Sequence, residues 1–158
     1  MLLDEVEQVQ NPGLGAALIW RFACGYSEGS EGDAMPLPYA YLVVPLLFQK
    51  GVLDAVASTK SGLRKVEEKL SGNSALLASV QDNADAMREL SRDSIALALR
   101  AGLIFVDNTD ATVRARSVTP PGLDDAVATH LLKAADKLGG WAAGVSLREF
   151  CFIFHLEL

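Results

Sequence analysis

Residues 63–118, LRKVEEKLSGNSALLASVQDNADAMRELSRDSIALALRAGLIFVDNTDATVRARSV, run three short helical patterns straight into a β-hairpin. Leu63, Val66 and Leu70 recur at i, i+3 and i+7 and so share one helix face, with Ser61 as the expected cap and Gly72-Asn73 as the stop. Leu76, Leu77 and Val80 make a second element. Asp82 or Asn83 is the expected cap of a third, which carries Met87, Leu90, Ile95, Leu97 and Leu99 and ends at Gly102. Leu103–Val106 and Thr112–Val118 are β-prone runs separated by Asp107-Asn108-Thr109-Asp110-Ala111, residue types that hairpin turns demand. Thr119-Pro120-Pro121-Gly122 closes the second strand. This order predicts a mainly α chain with a small β-hairpin, in which a winged helix-turn-helix-like core is flanked by further helices at both ends.

Upstream, Asn11 caps a helix with Pro12 at its first position, and Leu14, Leu18, Ile19 and Phe22 continue the apolar face through Tyr26. Ser27–Met35, rich in Gly, Ser, Glu and Asp, reads as an exposed loop ended by Pro36 and Pro38. Tyr39–Phe48 is apolar on every face; its length and the stop at Gln49-Lys50-Gly51 favour a buried helix kinked at Pro45. A short helical segment follows around Val52–Ala57. Downstream, Leu123–Leu138 and Ser146–Leu158 read as two helices joined by Gly139-Gly140-Trp141, with Phe150–Leu156 open to a buried strand instead. No internal repeat is visible. The expected organisation is one domain over 1–158, comprising N-terminal helices in 11–57, the winged block in 63–118 and C-terminal helices in 123–158.

The chain's 158 residues suffice for one hydrophobic core without disulfide or metal staples. Half are hydrophobic and 22% are charged, an apolar balance that points either to an all-buried core or, the favoured reading, to a large partner-facing surface. Fourteen basic against twenty acidic residues give a net charge of -6, which opposes indiscriminate attraction to nucleic acid. The winged block itself holds eight of each sign, so the flanking sequence carries the whole acidic excess. Arg88, Arg92 and Arg100 are matched by Asp85, Glu89 and Asp93, read as one helix with partial pairing along a solvated face. Arg114 and Arg116 alternate on one face of the wing strand. DNA-reading winged helices carry a basic excess there, and this one does not.

Cys24 and Cys151 lie in apolar runs without CxxC spacing and read as buried thiols in a reducing compartment. Met1–Glu7 lacks the basic and apolar regions of a signal peptide, and no apolar run reaches the roughly twenty residues of a membrane span, so cytoplasmic residence is expected. The sequence contains no GxxxxGK[ST], GxGxxG, HExxH or GxSxG pattern. His130 and His155 are far apart, lack ligand spacing and read as structural histidines. Asp107 and Asp110 serve the turn backbone, and Asp124-Asp125 sits where a helix N-terminus favours negative charge. No catalytic, cofactor-binding or metal-ligating residue is expected, and no cofactor.

The succession Asn11-Pro12-Gly13-Leu14-Gly15-Ala16, Trp20-Arg21-Phe22, Gly25-Tyr26, Met35-Pro36-Leu37-Pro38, Leu42–Lys50, Gly102-Leu103-Ile104 and Leu138-Gly139-Gly140-Trp141 resembles the middle components of bacterial three-component ABC systems. The resemblance covers nearly the whole chain and rests on the order of prolines, glycines and apolar positions. After Lys50 the chain departs from it, with Gly51-Val52-Leu53 in place of a polar turn. The resemblance implies a small non-enzymatic partner of an SMC- or RecF-like ABC ATPase and of an effector protein encoded nearby, in systems acting against phages or plasmids. It assigns no catalytic residue. A protein-binding adaptor is therefore the first expectation, with homo-oligomerisation left open and no membrane partner. The alternative is a winged-helix DNA-binding regulator that uses Arg88, Arg92, Arg114 and Arg116. A small enzyme would need His130 or His155 paired with a carboxylate in a pocket.

Overall fold

The Asn11 side chain accepts the backbone N–H of Gly13 at 2.8 Å and Pro12 occupies the first turn, which starts helix α1 over Pro12–Gly29. The structure, a computed structural model, describes residues 11–116 and 125–158. Among these, α1 is the axis of the molecule. Leu14 through Trp20, Phe22, Ala23 and Gly25 are all buried along it, so it is covered on nearly every side. Its cover is built from the elements that follow: β1 (Met35–Pro36), α2 (Pro38–Leu47), α3 (Lys50–Ala57), α4 (Leu63–Ser71), α5 (Ser74–Ala86), α6 (Arg88–Arg100), β2 (Ile104–Asp107), β3 (Thr112–Ala115), α7 (Ala126–Ala142) and α8 (Leu147–Ile153). The fold is mainly helical with a small antiparallel sheet of three strands, ordered β1-β3-β2.

The three helices and the hairpin follow in the expected order, with shifted boundaries. Ser61 does not cap α4: Gly62 holds that position at φ 132, with no side-chain hydrogen bond. Asp82 and Asn83 cap nothing either, because no breaker interrupts the sequence after Val80 and α5 runs through them to Ala86. Asn73, read as part of a stop, caps α5 by accepting the Leu76 N–H at 3.0 Å. Asp85 therefore lies on α5, and its pairing with Arg88 bridges two helices. Gly102, at φ 73, makes the left-handed exit from α6 into β2.

Strand β1 lies within the segment expected to be a loop. Met35 pairs with Val113 and Pro36 with Thr112, so β3 is the central strand. Pro36 sits on an edge strand, where its missing N–H costs no ladder bond. The expected loop also loses its first residues to α1, which continues three residues past Tyr26 to Gly29. Strand β3 ends at Ala115, and the expected continuation through Ser117-Val118 lies outside the described residues, as do Thr119–Asp124.

Gly139-Gly140-Trp141, expected to be a linker, is helical. A methyl group on Gly139 would collide with the Phe22 carbonyl, and one on Gly25 with the Asp136 carbonyl. These glycines let α1 and α7 approach backbone to backbone, and a packing requirement has the same composition as a hinge. Gly15 leaves room instead for the side chain of Ser94 on α6. Gln49-Lys50-Gly51 is likewise only half a stop: the break falls at Phe48-Gln49, Lys50 and Gly51 open α3, and the two helix axes differ by 97°. Phe150–Ile153 is helix, not strand, because Ser146 caps α8 by accepting the Glu149 N–H at 3.0 Å.

The core converges on an aromatic cluster. Phe22 and Phe150 meet edge to face at 6.4 Å, Tyr39 and Phe150 at 5.0 Å, and Phe150 packs on Phe154 at 4.9 Å. Each fully buried ring contributes roughly 1.5–3 kcal/mol of transfer free energy, and the cluster ties α1, α2 and α8 together. Across the molecule, the Trp20 indole N–H donates to the Arg116 carbonyl at 3.0 Å and holds the end of β3 against α1. No single helix among the described residues is long and apolar enough to cross a membrane.

Candidate functional site

The four arginines singled out in the sequence do not share one surface. Arg88 and Arg92 lie one turn apart on α6 and line a groove of about 480 Å³, opposite Leu37 and Tyr41 at the start of α2 and beside Leu156 near the C-terminus. Arg88 is ion-paired there with Asp85 at 3.2 Å, both side chains well exposed. Solvent screening leaves such a pair worth ~1 kcal/mol or less. Glu89 and Arg92 form no ion pair, so the expected pairing along the helix reduces to the Arg88–Asp85 bridge. Gln81 Oε1 accepts the Glu157 N–H, which lays the last residues against α5.

Arg114 occupies a different groove, of about 400 Å³, on the outer face of the sheet. The hairpin register explains what surrounds it. Phe105 pairs with Arg114 and Asp107 with Thr112, so these four side chains point to one face while Ile104, Val106 and Val113 point to the core. The Arg114 guanidinium donates to the Gly32 carbonyl at 2.6 Å and is thereby tied to the loop before β1. Asp33, Asp107 and Asp110 border the same groove. Asp107 Oδ1 accepts the Thr109 and Asp110 N–H groups at 2.9 and 3.3 Å, as the turn reading expects. Tyr26 closes the groove, its phenol held above the ordinary range by burial and then by the negative charge of Asp33. Arg116 stands just past β3, exposed, outside both grooves.

Two aromatic side chains to which the sequence analysis assigns no site are on the surface. Phe105 is 61% exposed on β2 and Phe152 is 76% exposed on α8. Strict alternation along Ile104-Phe105-Val106 and helical periodicity along Phe150–Phe154 each carry this signal. Phe152 stands over a groove between α4 and α8, rimmed by Arg64, Glu67, Arg148 and Glu149. Both phenylalanines are large apolar side chains that stand in water.

His130 and His155 are exposed rather than packed as structural histidines. His130 faces a shallow groove with Lys133, Asp136 and Lys137. Asp136 is already taken, its Oδ1 lying 3.1 Å from Arg21 as an ion pair without hydrogen-bond alignment. Lys137 donates to the Val56 and Ala57 carbonyls at 3.3 and 3.0 Å and so caps the end of α3. Cys151 is buried and Cys24 half-buried, and burial holds both thiols above their usual range. Among the described residues no cluster of three or more His, Cys, Asp and Glu side chains is placed to hold a metal ion.

The family model that matches this sequence, over residues 1–155, is that of the ABC-three component (ABC-3C) system Middle Component 3. No curated protein and no solved structure matches it.

Proposed function

The chain belongs to the Middle Component 3 family of ABC-three component systems, and from that premise we propose that it is a non-enzymatic adaptor coupling the system's ABC ATPase to its effector protein in bacterial defence. The family match over residues 1–155 carries this reading. The surface supports it: Phe105 and Phe152 are displayed on opposite terms from the core aromatics and sit in grooves rimmed by charge of both signs, the composition of a protein-contact patch. We read the three helices and hairpin as a winged-helix module turned to protein contact, and the pairing of β1 with β3 supports that reading.

Co-expression with the neighbouring ATPase and effector genes tests the adaptor role. The expected result is one complex that survives gel filtration; recovery of the chain alone, with neither neighbour, overturns it. The DNA-binding alternative places its four arginines on separate surfaces, with Arg88 and Arg114 already engaged by Asp85 and Gly32. A gel-shift titration from low salt upward is expected to show no retained duplex even at the lowest salt, where phosphate contacts bind most tightly.

A further inference from the structure

We propose that the outer face of the three-stranded sheet is the docking site for a basic side chain, Arg or Lys, presented by a protein partner of the adaptor. The inference rests on the adaptor reading and specifies which surface serves it. Two observations carry it. Phe105 presents an aromatic ring 61% exposed on this face. Around it lie Asp33, Asp107 and Asp110, none of which has a cation within ion-pair distance, since the pairs among the described residues are Arg21–Asp136, Lys65–Glu68 and Arg88–Asp85. The one cation in the groove, Arg114, is directed to the Gly32 carbonyl and offsets only one of three carboxylates.

An aromatic face flanked by unpaired carboxylates is the chemistry that recognises a guanidinium or an ammonium group. The ring quadrupole attracts the cation from one side and the carboxylates pair with it from the other. A nucleic-acid phosphate meets net negative charge here and is repelled. A second copy of the chain is disfavoured by the same sign rule, because its net charge of -6 brings further acidity to the seam. Charge complementarity therefore selects a basic partner surface.

The test uses the chain co-expressed with the ATPase and effector genes beside it. Asp33 and Asp110 are exposed, and their side chains support neither the core nor the turn, so Asp33→Lys with Asp110→Lys reverses the local charge without touching the fold. Asp54→Lys with Asp82→Lys, exposed on α3 and α5 and lining none of the grooves, makes the same change in net charge elsewhere and serves as the control. The expected result is at least a tenfold loss of partner affinity for the first pair and less than a threefold change for the second. Phe105→Ser is expected to weaken capture, Phe105→Trp to preserve it, and wild-type affinity to fall as salt rises.

Equal capture by wild type and the Asp33/Asp110 variant, both folded by circular dichroism, overturns this inference and leaves the adaptor reading standing. Wild-type chain that captures neither neighbour overturns both. Capture that disappears on nuclease treatment, or a dimer of the isolated chain that the double variant dissociates, replaces the basic protein partner with another occupant and also overturns it.

Discussion

Gly139 and Gly25 decide more than their size suggests. Each faces the carbonyl of the opposing helix, so a methyl group forces apart the two backbones that pack most closely in the molecule. Gly139→Ala is expected to destabilise the protein by about 2–4 kcal/mol, in the range of severe overpacking, despite the better helix propensity of alanine. Chemical denaturation checks this, and an unchanged midpoint would mean that the α1–α7 contact can open cheaply. Tyr39 makes the opposite case. Its hydroxyl is buried in the aromatic cluster with no hydrogen-bond partner among the described residues, so Tyr39→Phe removes a desolvated polar atom and is expected to be neutral or to stabilise by up to ~1 kcal/mol.

Burial, reinforced by Tyr26 and Cys151, also raises the ionisation of the Tyr39 phenol, which fixes the sign of its pH effect. Below about pH 10 the phenol is neutral in both folded and unfolded chains and the fold keeps its full stability. Above that, the unfolded chain releases its proton first, so stability falls as pH rises towards the folded value. Tyr26, Cys24 and Cys151 are raised in the same direction. Tyr39→Phe should therefore flatten the alkaline decline seen in thermal melts without abolishing it.

At the scale of elements, four of the described helix starts are fixed by short polar side chains whose action is local. Asn11 bonds the N–H groups of Gly13 and Leu14 at the head of α1, Asn73 that of Leu76 on α5, Asp125 that of Ala128 on α7 and Ser146 that of Glu149 on α8. Asn11→Ala is expected to cost about 1 kcal/mol. Because α1 runs through the core, that loss should lower the midpoint of the whole cooperative transition rather than fray one end. The far end of α3 depends on a distant residue: Lys137 reaches across from α7 to the Val56 and Ala57 carbonyls, its ammonium pushed below the usual lysine range by burial and by Lys60 and Lys69. Lys137→Met should leave those carbonyls without their donor and raise amide exchange in α3 while α1 stays protected.

On the scale of the whole molecule, the proposed adaptor role predicts that the charge pattern and the exposed aromatics divide the surface by partner. The acid-lined face around Phe105 and the mixed-charge groove under Phe152 lie on different elements, β2 and α8. A component that joins two proteins needs two such places. Phe152→Ser is accordingly expected to weaken capture of one neighbour and Phe105→Ser of the other, read as separate losses in pairwise pulldowns. Loss of the same neighbour by both variants would assign the two surfaces to one partner.

The sequence by itself determined the mainly helical class, the three helices leading into the hairpin, the Asn11 cap and, through a pattern of prolines and glycines, the family. These depend on local spacing, where a side chain acts on backbone within one turn or a strand alternates at period two. Tertiary structure alone decided that Met35-Pro36 is a strand, since two residues have no period and are held only by β3. It also decided that Gly139-Gly140 packs instead of bending, and that Arg88 and Arg92 part company with Arg114. Each of these depends on what lies opposite in space, and a partner some eighty residues away in the chain leaves no periodic trace in the segment it touches.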